Sequence, residues 1–379
     1  MLKDAAAHTN IEVRVFNPFD RRISRYPQFA FRLGKITRRM HNKSLTIDNQ
    51  ISIVGGRNIA DEYFQLNKEV NFGDVDAVFI GPLVQEVSKS FDDYWNSEEV
   101  ELLANLEHIS AHSTQSNLLM NNIIAVDDSY YIDALDKQAF PFSWANAQLI
   151  ADKPEKIHKR RDKKQFIKET ELYPYIQAVK KEILIFTPYL VPTDVGIQHI
   201  KQLRKRGIKV TFVTNSLATT DVPFVHAGYM NYRKKLINLG VNLYELKKTD
   251  MPLTLFKAHA KGKKVRAKKG SLHAKLIVFD REVFYVGSMN IDPRSIYENT
   301  ELGLVIQSPD VSELIYQWFE KNVGNTTYKV DLKELSGRGE TLIWRNSKKS
   351  FLIKEPRTRL LGRIWMDFLS GLPIAEKHL

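Results

Sequence analysis

With 379 residues, 43% of them hydrophobic and 26% charged, the chain can bury a sizeable core and has room for two or three domain-sized units, which excludes a disordered or fibrous class. The absence of cysteine excludes a disulfide framework and any thiolate metal site, and leaves the redox compartment open. A formal charge of +12 favours a polyanionic partner, a requirement that nucleic acid and an anionic lipid surface meet equally.

Residues 1–10 carry no basic start followed by an apolar core, and nowhere do about 18 apolar residues run together as a membrane span needs. A strand is expected at 11–16. Two short runs, 44–47 and 51–54, read as strand, turn, strand around Asp48. Residues 96–168 are polar and weakly periodic and include the basic run 158–164; they read as a connection with some helix. Apolar runs at 183–191 and 208–214 are each followed by a helical pattern, as at 229–239, and a further strand is expected at 241–246. That alternation argues an α/β fold. After a second basic run, 257–269, the strand-turn-strand pattern returns at 276–279 and 283–286 around Asp280. The tail from residue 340 holds a short strand, 341–344, and an amphipathic stretch, 357–372. There Arg357, Arg359 and Arg363 interleave with Leu360, Leu361, Ile364, Trp365, Phe368 and Leu369. The pattern suits a helix lying on anionic lipid, or equally a helix covering the core with a basic outer face.

The organising feature is an internal repeat. His41, Lys43 and Asp48 recur as His273, Lys275 and Asp280 at an offset of 232 residues, and Gly55 with Asn58 recurs as Gly287 with Asn290 at the same offset. Two homologous halves follow, 1–95 and 169–339, joined by the connection 96–168 and followed by the extension 340–379. Moving the strand at 183 back by the offset places its counterpart before Met1, so the first half is expected to be incomplete and the chain N-terminally truncated. Naturally unequal halves are the alternative. An incomplete sheet would expose an edge and lower stability.

Each copy reads His-x-Lys-x-x-x-x-Asp, then Gly-x-x-Asn. On a strand, residues two apart face the same way, so His and Lys can converge on one phosphate. One copy is a weak signal; two in register are a strong one. Duplication has a chemical reason, because covalent phosphodiester exchange needs a nucleophile on one side of phosphorus and an acid on the other. His41 and His273 supply that pair. Lys43, Lys275, Asn58 and Asn290 would surround the non-bridging oxygens, so the chemistry requires neither metal nor cofactor. A histidine nucleophile needs its second ring nitrogen held by a carboxylate. Glu301, 21 residues after Asp280, is assigned to His273; Asp76, 28 residues after Asp48, is assigned to His41, with Asp74 as the fallback. Asp48 and Asp280 complete the motif, but at the start of a turn they suit holding backbone better than touching phosphate.

With these residues laid out, the chain resembles the phospholipase D superfamily over essentially its whole length. The stretches HNKSLTIDNQISIVGGRNIADEYF (41–64), FDDYWNS (91–97), TNSLATTDVPFVHAGY (214–229), GSMNIDPRS (287–295) and NTELGLVI (299–306) resemble bacterial cardiolipin synthases, the C subclass in particular. The resemblance implies two half-domains in pseudo-twofold arrangement, each a mixed β-sheet flanked by helices, sharing one site. It also implies a phosphatidyl-histidine intermediate. On that analogy His41 is the nucleophile and His273 the general acid, with the reverse assignment open. The implied partners are phospholipids, with phosphatidylglycerol or phosphatidylethanolamine as donor and a lipid hydroxyl as acceptor, at an anionic membrane surface. His226 and Tyr229 are candidates for the acceptor site, although Tyr229 also suits the core. The implied location is peripheral, on the cytoplasmic face of a bacterial inner membrane, or cytoplasmic.

Two other readings compete. A phosphodiesterase or nuclease would use the same His-Lys pairs with water as acceptor. Nucleic acid is disfavoured because 257–269 has no aromatic residue beyond its basic ones to stack a base. A catalytically inactive lipid-binding fragment is disfavoured by the intact His and Lys of both motifs.

Overall fold

The computed structural model describes residues 2–18, 38–107, 137, 142–159, 170–249, 267–346 and 350–371. Most of the connection, with residues 160–164 and 257–266 of the two basic runs, lies outside the described residues.

In the first half, β-branched and aromatic runs form β1 (Arg14–Phe16), β2 (Ser44–Ile47), β3 (Ile51–Gly55), β4 (Val70–Gly73) and β5 (Asp76–Ile80). Helix α1 (Leu83–Trp95) and β6 (Val100–Leu102) follow. Strands β2, β3 and β5 make an antiparallel sheet, and β1 pairs with β6. The second half is larger. It comprises β7 (Asn146–Ala151), β8 (Glu182–Phe186), α2 (Thr193–Lys205), β9 (Lys209–Asn215), α3 (Pro223–Met230), α4 (Arg233–Asn238) and β10 (Asn242–Leu246). There follow β11 (Lys269–Leu272), β12 (Leu276–Phe279), β13 (Val283–Gly287), β14 (Leu302–Gln307), α5 (Pro309–Thr326), β15 (Thr327–Leu335), β16 (Gly339–Arg345), β17 (Phe351–Leu352) and α6 (Leu360–Ser370). Ten strands form one mixed sheet in the order β17-β16-β15-β10-β9-β8-β12-β13-β14-β7, in which β8, β9 and β10 run parallel.

The repeat seen in the sequence is repeated in space. Strands β2, β3 and β5 with α1 correspond to β12, β13 and β14 with α5, and the β1–β6 pair corresponds to β10–β15. Between those two groups the second half places β8 and β9, for which the first half has no counterpart among the described residues. The consequence is visible residue by residue. Ile277 and Phe279 on β12 are 3% and 4% exposed beneath the helical layer, whereas their repeats on β2, Leu45 and Ile47, are 55% and 48% exposed.

Both hairpins turn on two residues at positive φ, Asp48 with Asn49 and Asp280 with Arg281. A short acid tolerates that conformation and matches the strand twist there. An apolar cluster joins the halves, with Val54 and Val87 of the first half packed among Leu272, Ala274, Leu276, Val286 and Leu304 of the second. Burying that face fixes the halves against each other and so sets the geometry between their motifs.

Candidate active site

Each motif histidine is carried past the other half by a parallel backbone pairing. Leu272 on β11 sits opposite Gly73 on β4, so the next residues, His273 and Asp74, emerge side by side. Met40 bridges Thr300 in the same parallel sense, so His41 and Glu301 emerge side by side. The backbone repeats the match, with His273 N–H donating to Gly73 O at 2.8 Å and His41 N–H donating to Thr300 O at 2.9 Å. The side chains complete it: His273 Nδ1 lies 2.7 Å from Asp74 Oδ2, and His41 Nδ1 lies 2.8 Å from Glu301 Oε2. Each carboxylate therefore serves the histidine of the opposite half. Binding through Nδ1 makes Nε2 the nitrogen that can meet phosphorus.

The lysines follow the same symmetry, Lys43 Nζ donating to His41 O at 2.7 Å and Lys275 Nζ to His273 O at 2.6 Å. Lys275 also lies 2.9 and 3.0 Å from the two ring nitrogens of His273. The four motif residues share one electrostatic site, since the Lys275 charge is felt by both His41 and Lys43. Burial pulls Lys43 down to about 7 and Lys275 down to about 8, in each case against the nearby carboxylates. Burial, reinforced by Lys275, pushes His273 down to about 4 although Asp74 opposes it. His41 is lowered by burial too, with Glu301 working against the shift. Asp74 and Glu301 are both buried, which would raise them, but the bonds and charges of their histidines and lysines outweigh burial and hold both below the usual carboxylate range. Such a site strains to hold its positive charge and gains from an anion placed between the lysines.

Asn290 is buried and its Oδ1 has no hydrogen-bond partner among the described residues, while Asn58 donates to the Tyr63 hydroxyl at 2.8 Å. Tyr63 OH in turn lies 3.4 Å from His273 Nε2. The glycine of each Gly-x-x-Asn is required by close approach. A Cβ on Gly55 would lie 2.0 Å from Asp76 Oδ1, and one on Gly287 would lie 2.5 Å from Gly303 Cα.

Known proteins resemble this sequence over nearly its whole length. Residues 2–95 and 172–323 match the family described as "Cardiolipin synthase, PLD-like domain". The chain belongs to that family. Cardiolipin synthase C of Escherichia coli K12 is 35% identical over 384 residues, covering 97% of this chain and 79% of that protein. A cardiolipin synthase of Clostridium perfringens is 27% identical over 319 residues, covering 82% of this chain and 56% of that one. Among solved structures, phosphatidylserine synthase of Haemophilus influenzae Rd KW20 superposes with a TM-score of 0.51 at 14% identity, covering 76% of this chain and 63% of that one. That likeness is one of fold.

Within this cardiolipin synthase, PLD-like frame, two sequence assignments need correction. Glu301 pairs with His41, not with His273, and Asp76 pairs with neither histidine but with Arg57, whose Nε lies 2.6 Å from Asp76 Oδ2. The strand registers explain the error. Gly287 on β13 faces Gly303 on β14, while Gly55 on β3 faces Asp76 on β5. Asp76 is thus the repeat of Gly303, and Asp74, two residues earlier, is the repeat of Glu301. Asp74 entered the sequence reading as a fallback for His41 and is found on His273.

The motif aspartates stand apart from the histidines. Asp280 accepts from the backbone N–H groups of Lys180, Lys181 and Glu182 at 2.7, 2.7 and 2.8 Å, holding the start of β8, and Asp48 is exposed at its turn. His226 and Tyr229 are both buried and bonded within the fold: Tyr229 OH donates to Glu245 at 2.9 Å, and His226 Nε2 lies 2.7 Å from Arg233 Nη2. Sequence reasoning passed over Ser288, which donates to Glu301, and Tyr63 and Asp221. Asp221 accepts from Tyr189 OH at 2.7 Å, and its charge is felt by His273 and Lys275. Ser288, Tyr63 and Asp221 all lay inside the stretches that carry the resemblance, which was the available signal.

Proposed function

We propose that this chain is a phosphatidyltransferase of the cardiolipin synthase type working through a phospho-histidine. The observation that carries the reading is the pair of crossed His–carboxylate contacts, each through Nδ1, so that neither Nε2 is taken by a carboxylate; in this reading the two Nε2 atoms act on one phosphate. His41 Nε2 attacks phosphorus of phosphatidylglycerol, forming a P–N bond as the P–O bond to glycerol breaks. His273 delivers the proton to the departing glycerol oxygen. The hydroxyl of a second phospholipid then gives its proton to His273 and attacks phosphorus; the P–N bond breaks, cardiolipin leaves and His41 is regenerated. Phosphatidylethanolamine serves as donor by the same exchange. Lys43 and Lys275, with Asn58 and Asn290, stabilise the charge that builds on the non-bridging oxygens.

The electrostatics of the site suit this cycle. Burial holds both histidines below their ordinary proton affinity, so the nucleophile is a free base, and the phosphate anion brings the charge that lets the second histidine take up a proton. Work on lipid phosphates calls for contact with an anionic membrane surface; among the described residues no helix is long and apolar enough to cross a membrane. The test is the lipid composition of a cardiolipin-deficient bacterial host expressing this chain or its His41→Ala variant. Cardiolipin is expected with the first alone, and its absence from both would overturn the reading.

A further inference from the structure

Helix α6 carries its apolar side outward. Leu360, Leu361, Ile364, Trp365 and Phe368 are 55–80% exposed, while Met366 faces inward and is buried. At helical spacing those five positions form one stripe, the reverse of the orientation by which a surface helix covers a core. Trp365 and Phe368 stack with ring centroids 5.6 Å apart, so the stripe ends in a preformed aromatic plate. Cations flank it: Lys354, Arg357 and Arg359 are exposed just before the helix, and Asp367 is the acid within it. Arg363 lies on the packed side and donates to Thr358 O at 2.8 Å.

The helix is fixed to the body of the protein. It packs on α3, and Asn231 Nδ2 at the end of α3 donates to Ser370 O at 3.1 Å. Helix α3 begins two residues after Asp221, whose charge reaches His273 and Lys275. A surface seated on α6 is thereby held at a set position relative to the motif histidines.

We propose that α6 is the element by which this chain docks on an anionic lipid bilayer. The Leu360, Leu361, Ile364, Trp365 and Phe368 stripe enters the boundary between headgroups and acyl chains, and Lys354, Arg357 and Arg359 meet lipid phosphates. The choice of lipid as occupant rests on the phosphatidyltransferase reading; exposed aromatics beside cations, with a single acid, supply the complementarity.

Cosedimentation with vesicles of equal parts phosphatidylglycerol and phosphatidylcholine tests it without turnover. The unmodified chain pellets with these vesicles, more weakly with phosphatidylcholine alone, and less as salt is raised. The triple variant Leu361→Ser, Trp365→Ser, Phe368→Ser partitions at least about tenfold less, at an unchanged melting temperature because the three side chains are exposed. Arg357→Gln with Arg359→Gln loses only the preference for anionic vesicles, and it decides the matter should the triple variant fold poorly. Undiminished binding by these variants overturns the proposal. So does a dimer of the unmodified chain that the triple variant converts to monomer with vesicle binding intact, since the stripe is then a contact between copies. The two readings fail separately. His273→Ala binds vesicles fully, and a chain that binds but makes no cardiolipin refutes the transferase alone. A chain that transfers phosphatidyl groups in detergent but ignores α6 on vesicles refutes the docking alone.

Discussion

Replacing Glu301 by Gln tests the crossed wiring directly. The change keeps shape and an acceptor oxygen but removes the negative charge 2.8 Å from His41 Nδ1, in a side chain that is 5% exposed. A hydrogen bond to a charged group is worth about 1.5–3 kcal/mol and a neutral one about 0.5–1.5, so the imidazolium of His41 loses about 1–2 kcal/mol of support. Converted at about 1.4 kcal/mol per pKa unit, His41 should titrate roughly 1 unit lower than it already does. The assay is a pH titration of the ring nitrogens by NMR, with the 10 histidines assigned by single replacement. His41 moves and His273 stays close to its starting value, while turnover falls by at least about 100-fold because the ring loses its orienting charge. Movement of His273 with His41 unchanged would refute the crossed arrangement and restore pairing within each half.

Two further outcomes follow from the same contacts. Asp280→Ala removes the acceptor of three backbone N–H groups at the start of β8 and puts a β-carbon residue without a polar side chain at φ 52. Urea unfolding should show a loss of about 2–4 kcal/mol, while turnover per folded molecule is retained; a loss of turnover at unchanged stability would return Asp280 to the phosphate site. His273, held at about 4 in the fold against an ordinary 6.5, makes stability depend on pH. Between those values the unfolded chain binds a proton that the native state refuses, so stability falls as pH drops from 6.5 toward 4, by up to roughly 3 kcal/mol. Unfolding at pH 7.5 and 5 should show that slope, and His273→Asn should lessen it, leaving the part due to the other histidines that burial lowers, His41 and His226; an equal slope in both proteins contradicts the buried neutral ring.

The local elements were legible because they are local. The hairpins at 44–55 and 276–287 announce themselves by β-branched runs around an Asp that accepts positive φ, and the 232-residue offset made the repeat countable. What could not be counted was which half each carboxylate serves. Asp74 and Asp76 are two residues apart, so both face the same side of an extended strand, and sequence pattern alone does not separate them. The choice is made by β-pairing between distant segments: Gly55 opposite Asp76 leaves that carboxylate to Arg57, and Leu272 opposite Gly73 brings Asp74 to His273. His226 misled for a related reason, because its ring nitrogen is committed to Arg233 in a buried network with Glu245 and Glu355 that joins α3, α4, β10 and the segment before α6.

The crossing bears on why the motif is doubled at all. Were each histidine served by its own half, one half would hold a complete nucleophile, and duplication would add only an acid on the far side of phosphorus. As found, His41 depends on Glu301 and His273 on Asp74, so neither half contains a finished His–carboxylate pair. The parallel bridges Met40 with Thr300 and Leu272 with Gly73 are therefore part of the chemistry as well as of the packing. Assembly of the halves and assembly of the catalytic groups become one event, driven by the apolar contact of Val54 and Val87 with Leu276, Val286 and Leu304. A substitution that loosened this contact would act on both histidines together, lowering turnover through their tautomers and orientation before the chain unfolds.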